Sequence, residues 1–192
     1  MRERKIILAS GSPRRRALLR ELGLEFEVYS PDVDEGHSPD EEPEALCVRL
    51  SRLKAEAGAR VFPDAVVIAA DTIVVIDGQV LGKPSDRKDA KRMLTMLQGR
   101  EHEVITGVCV CFDGKVISGA EHTRVKFRSL TDAEIAAYVR TGECDDKAGA
   151  YAVQGMGALL VEGVNGDYFN VVGLPLCRLG HMLAEAGVHL LA

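Results

Sequence analysis

The stretch KIILASGSPRRRALLRELG, residues 5–23, decides how the chain is read. Lys5–Ala9 is a short apolar run that predicts a β-strand. Ser12-Pro13 then opens a helix over roughly residues 13–22. Ser12 is its N-cap, Pro13 its first residue and Gly23 its stop, because serine satisfies an orphan amide, proline has none to lose and glycine tolerates the left-handed exit. A strand feeding at once into a helix is the start of an α/β fold. The junction also holds a local conflict. Arg14, Arg15 and Arg16 fill the first helical turn, where the dipole is positive and each cation costs roughly 0.3–1 kcal/mol. A bound anion would reverse that cost, since backbone amides and guanidinium groups both suit phosphate. The plainer alternative is a capped surface helix whose arginines reach into water. No GK[ST] follows, so the junction is not a Walker A loop.

Outward from the junction, Glu25–Tyr29 alternates like a second strand and is followed by an acidic loop over 30–42. Pro43 to about Gly58 predicts a helix with the stripe Leu46, Leu50, Leu53 and Ala57. Ala65–Ile76 is a near-continuous β-branched run, as expected of a central strand buried on both faces. Asp77-Gly78 signals a hairpin returning through Gln79–Gly82, with Pro84 ending the pairing. Residues 86–98 form an amphipathic helix closed by Gly99. Strands over about 101–112 and 115–128 are joined by Asp113-Gly114. The second puts Glu121, Thr123, Val125 and Phe127 on one side and His122, Arg124, Lys126 and Arg128 on the other, a solvated or edge face. Thr131 and Glu134 make a capping box for a helix to about Arg140. A glycine-rich stretch over 149–157, a strand near 158–164 and a helix near 175–187 complete an α/β order. Because βα units coexist with hairpins, the sheet is expected to be mixed, with flanking helices and one domain over 1–192.

The chain has 192 residues, and a fold of that size needs neither disulfide nor structural metal. Lys and Arg number 24 against 29 Asp and Glu, a net charge of −5 that argues against a nucleic-acid polymer or a membrane surface as partner. The average hides a division. Residues 31–44 carry seven carboxylates and no Lys or Arg, whereas residues 1–20 carry seven Lys or Arg against one Glu. The five cysteines are odd in number and lack CxxC spacing, which disfavours a disulfide framework or a zinc site. Cys109 and Cys111 point the same way on a strand, as small core residues. No apolar run approaches about 18 residues, so neither a signal peptide nor a membrane span is expected and the protein reads as cytoplasmic.

Further candidates follow from chemistry. Glu41, Glu42 and Glu44 surround a helix start, where the dipole favours them. Asp32, Asp34 and Glu35 either solvate the loop or hold a divalent cation beside a phosphate chain. Asp71, alone in its apolar run, must be paired or metal-bound, at a strand end opening into a cleft or buried with a cation. Lys83 returns along the hairpin. A two-residue turn puts it opposite Thr72, on the other face from Asp71, while a bulge would bring the two to one face. Lys54 flanks the helix stripe and could extend its ammonium along apolar surface. Gln154, among Gly149, Gly155 and Gly157, offers a donor and an acceptor side by side. These match the N3–H and O4 edge of uracil or thymine, though a set of tight turns is the simpler reading of the glycines.

Taken together, these segments resemble the Maf family of nucleoside triphosphate pyrophosphatases. The likeness runs from Leu8-Ala9-Ser10-Gly11-Ser12-Pro13-Arg14-Arg15 to Asn170-Val171-Val172-Gly173-Leu174-Pro175. Between them lie Asp34-Glu35-Gly36, Ala70-Asp71-Thr72, Leu81-Gly82-Lys83-Pro84 and Asp146-Lys147-Ala148-Gly149-Ala150-Tyr151 leading into Gln154-Gly155. The resemblance implies a two-lobed α/β fold around a nucleotide-binding cleft, often a homodimer. It implies hydrolysis of a triphosphate to monophosphate and pyrophosphate with a divalent cation such as Mg or Mn. On this chain Asp71 would accept the proton of the attacking water and touch the metal, which Glu35 helps hold. Ser10, Arg14, Arg15, Lys54 and Lys83 would bind the phosphates. Arg14, Thr72 and Gln154 match the specificity positions of the subgroup acting on dTTP and UTP. The same chemistry on 7-methyl-GTP, or a nucleotide-binding regulator of cell division, are the alternatives.

Overall fold

The structure, a computed structural model, describes residues 4–36, 38 and 40–191. Arg2 of the basic segment, His37 and Pro39 of the acidic loop and the extreme ends of the 1–192 span lie outside the described residues. Two compact units emerge from the chain's contacts: residues up to Asp71 with 106–121 and 173 onward, and residues 72–105 with 122–172.

In the first unit, β1 (Ile6–Ala9) is flanked by β2 (Glu27–Tyr29) and by β3 (Val66–Ile76), parallel to both. Helix α1 (Pro13–Glu21) starts where expected, with the Ser12 hydroxyl accepting from the Arg15 amide. Helix α2 (Pro43–Val61) differs from its sequence reading in two ways. It does not stop at Gly58, and its buried line is Leu46, Cys47, Leu50, Ser51, Ala55 and Gly58, leaving Leu53 and Ala57 half-buried. Backbone approach explains both. A Cβ on Gly58 would lie 2.8 Å from Val67 Cγ1, and one on Gly107 would collide with the carbonyl oxygen of Cys47. Small residues therefore meet the sheet at Cys47, Ser51, Ala55 and Gly58, while Leu46 and Leu50 stay buried beside them. Cys109 and Cys111 are buried in the same core as Ile7, Ala55 and Val67.

The second unit carries the remainder of β3, then β4 (Gln79–Leu81), α3 (Arg87–Leu97) and the first part of β5 (Glu101–Phe112). The end of β6 (Lys115–Phe127), α4 (Asp132–Arg140), β7 (Val161–Asn165) and α5 (Tyr168–Val172) follow, and α6 (Leu176–Glu185) returns to the first unit. Among the described residues, seven strands make one mixed sheet in the order β2-β1-β3-β5-β6-β7, with β4 paired to β3. Asp77-Gly78 is a two-residue turn, both residues at positive φ, so Ile76 faces Gln79. The capping box of Thr131 and Glu134 is present.

One expectation needs correction. The strand placed near 158–164 begins only at Val161, because Gly155–Leu159 closes into a 3₁₀ turn. Of the two readings of the basic row of β6, solvated or edge, the structure bears out the solvated face. It lies between β5 and β7, where Lys126 pairs with Glu162 and His122 with Glu103. Helix α5, five residues long, had no periodic signal to announce it. Among the described residues no helix is long and apolar enough to cross a membrane.

Candidate active site

The first unit assembles a charged cluster from the β1–α1 junction, the acidic loop, α2 and β3. Ser10 follows β1 and is buried. Its hydroxyl oxygen accepts from the Ser12 amide at 3.2 Å and from Arg15 Nη1 at 3.2 Å. Arg15 Nε donates to the Gly173 carbonyl at 2.7 Å. Both acceptors are neutral, so these bonds aim the guanidinium without cancelling its charge. Burial pushes the Arg15 pKa down from its ordinary value. The Asp71 carboxylate opposes that shift, Arg14 adds to it and Glu35 opposes it. Arg14 is half-buried, while Arg16 turns back toward the Gly11 carbonyl.

Asp71 lies in the middle of β3, not at a strand end, and is half-buried against a cation. That cation is Lys54 of α2, whose Nζ stands 2.6 Å from Asp71 Oδ1 and 2.8 Å from Glu35 Oε1. The rotation of α2 makes the contact possible: Lys54 adjoins the buried Ala55 and keeps only 13% of its side-chain exposure. Glu35 reaches the ammonium because the acidic loop is strapped from within. Asp34 Oδ1 accepts from the Gly36 amide at 2.9 Å, and Arg49 joins the Gly36 carbonyl to both oxygens of Glu41. Asp34 and Glu41 thus fix the loop, and Glu35 is the carboxylate it presents to Lys54.

The remaining candidates belong to the second unit. Thr72 follows Asp71 on β3, and successive strand residues face opposite sides. The hairpin has the two-residue register as far as Val74–Leu81, and the exposed Lys83 lies two residues beyond that last pair. The preceding Gly82 carbonyl accepts from Gly149, a residue at φ +68° whose added Cβ would press on Val74. Gln154 is exposed at the start of the 3₁₀ turn, between buried Val153 and Gly157. Sequence reading passed over Glu143, which binds the amides of Met156 and Gly157. Its one signal is an acid ahead of a glycine-rich loop that must fix its backbone.

Asp71 and Glu35 also fit a divalent cation. Their oxygens converge on one positively charged atom, and Mg²⁺ is commonly held by one or two carboxylates with phosphate oxygens and water. No group of three or more His, Cys, Asp or Glu suited to a metal occurs among the described residues, so phosphate would have to complete the shell.

Fold and cluster define an α/β protein whose βα junction gathers arginine, serine, lysine and paired carboxylates, the chemistry of a site for a phosphate chain and its counter-ion. The Maf-like protein family matches residues 5–186, and this chain belongs to it. Two similar relatives are called dTTP/UTP pyrophosphatase. That of Koribacter versatilis is 51% identical over 95% of each chain, and that of Syntrophomonas wolfei is 50% identical over 96% of this chain and 98% of its own. Among solved structures, a HAM1 protein from Coxiella burnetii has a TM-score of 0.55 at 17% identity, covering 96% of this chain and 100% of its own, a likeness of fold.

Proposed function

We propose that this chain is a cytoplasmic nucleoside triphosphate pyrophosphatase that converts dTTP and UTP to the monophosphate and pyrophosphate. The relatives' activity supports the substrate, and the chemistry rests on one observation: Lys54 bridges Asp71 and Glu35 within the field of Arg15. A carboxylate within reach of a bound water can accept its proton. The ammonium in turn is a mobile point charge with three donors, suited to leave its carboxylates for a phosphate.

In this reading Arg15, oriented by Ser10 and Gly173, receives the phosphates, and Lys54 turns from Asp71 toward the anion. Asp71 takes a proton from a water whose oxygen attacks the α-phosphorus. The α–β bridging oxygen leaves with pyrophosphate, where Lys54, Arg15 and Lys83 offset the growing charge. Glu35 and Asp71 would hold a divalent cation, which supplies further neutralisation of the phosphate oxygens. Thr72, Arg14 and Gln154 select the base, with the Gln154 amide set against the pyrimidine edge.

A panel of nucleoside triphosphates with Mg²⁺ or Mn²⁺, scored for pyrophosphate and orthophosphate, tests the proposal. Pyrophosphate from dTTP and UTP ahead of other bases is expected. Orthophosphate alone, or preference for 7-methyl-GTP, would overturn it.

A further inference from the structure

Glu143 lies outside the charged cluster, between α4 and the Ala148–Ala150 turn, and it makes an unusual set of bonds. Its Oε1 accepts from the Gly157 amide at 2.9 Å and from the Tyr138 hydroxyl at 3.0 Å, and its Oε2 accepts from the Met156 amide at 3.0 Å. The Tyr138 hydroxyl oxygen in turn accepts from the Ala152 amide at 3.1 Å. Backbone groups on both sides of Gln154 are thus tied to one carboxylate–phenol pair.

Packing tightens the clamp. A Cβ on Gly155, itself at φ +63°, would stand 2.5 Å from Glu143 Oε2, and one on Gly157 would collide with the Ala152 carbonyl. Upstream, the buried Tyr151 hydroxyl meets His102 Nε2 at 2.8 Å and its ring packs edge-on against Phe127. Between these fixed points Gln154 alone projects as an exposed polar side chain. The clamp is built to last in the ionised form. Burial acts to raise the Glu143 pKa, but bonds from Gly157, Met156 and Tyr138, with the charge of Lys147, outweigh it and hold the group below its ordinary value.

We propose that Glu143, through Tyr138, is a positioning residue for base recognition: it sets the backbone from which Gln154 reads the pyrimidine edge and takes no part in phosphate chemistry. This rests on the pyrimidine-specific reading of Gln154 given above. The clamp acts on the base alone, so its loss raises KM for dTTP and UTP and lowers their preference over CTP. Turnover and the binding of a base-free chain are unaffected.

The test compares Glu143→Gln, Tyr138→Phe and Gln154→Ala in kcat and KM for dTTP, UTP and CTP, with inorganic tripolyphosphate as a competitive inhibitor. Glu143→Gln turns an amide NH₂ toward one of the donors and is expected to raise KM for dTTP about 10-fold, the scale of a lost charged hydrogen bond. Its kcat and its tripolyphosphate inhibition constant should stay within about twofold. Tyr138→Phe, which keeps the ring in the core, should move the same quantities less. Hydrogen exchange at the Met156 and Gly157 amides should quicken in Glu143→Gln. If Gln154→Ala erodes the dTTP preference while both clamp variants keep it, the clamp is overturned and the base reading stands. Tripolyphosphate affinity falling in step with dTTP affinity would also overturn the clamp, as general damage. A Gln154→Ala variant with undiminished preference would remove the reading on which the proposal rests.

Discussion

Asp71 of the first unit and Glu143 of the second are both half-buried carboxylates, yet they are satisfied in different ways. Asp71 faces a lysine ammonium on a flexible stem, shared with Glu35. Glu143 faces two backbone amides and a phenol fixed by the core. Partners of the first kind can be exchanged for substrate. Partners of the second kind would have to unfold a turn to leave. The contrast separates a group poised to react from one that holds a surface in place, and substitutions can probe it.

The largest effect is expected at Asp71. Asp71→Asn keeps the shape but cannot accept a proton, so kcat for dTTP should fall about 10³-fold while nucleotide binding, followed by calorimetry, persists. Retention of full turnover would erase the distinction from Glu143.

In the second unit the buried His102 extends the contrast to pH. Desolvation lowers its pKa from 6.5 to about 4. The unfolded chain therefore binds a proton in that window and the folded chain does not. The contribution is complete above pH 6.5 and is lost as pH falls toward 4, amounting to about 3 kcal/mol. Urea midpoints at pH 7 and 4.5 should converge for His102→Gln relative to the parent.

Lys54→Met tests exchangeability from the other side. It removes the ammonium that Asp71 and Glu35 share, costing about 2 kcal/mol in urea stability. That is below the ~3–5 kcal/mol of a fully buried pair because Glu35 is 58% exposed. Divalent cation added without nucleotide should restore part of the loss, which calorimetry and denaturation can both follow. The smallest effect belongs to Thr131→Ala, which removes the α4 cap from the second unit at about 1 kcal/mol and should leave turnover unchanged.

Local rules carried much of the fold. Ser12, the Thr131–Glu134 box and the turns at Asp77-Gly78 and Asp113-Gly114 act within four residues, so the sequence displays them directly. The rotation of α2 was hidden because it depends on Gly107, far along the chain, passing against Cys47. Leu46 and Leu50 of the expected stripe are buried, and close approach of small residues turns the rest of the buried face to Ser51, Ala55 and Gly58. That same rotation joins Lys54 to Asp71 across 17 positions, where sequence reading had considered Lys83. Glu143 escaped notice for a related reason: its partners are mostly backbone amides 13 and 14 residues on, and amides leave no mark in composition. The acid–base division of the chain was visible from the start, and in the structure Asp34 and Glu41 strap the acidic loop while Glu35 meets the Lys54 ammonium.

Hydrolysis of dTTP in ¹⁸O-labelled water tests the central claim most directly, because it reports which phosphorus the water attacks. The account predicts label in dTMP and unlabelled pyrophosphate. Label in pyrophosphate, or release of labelled orthophosphate with dTDP, would contradict it.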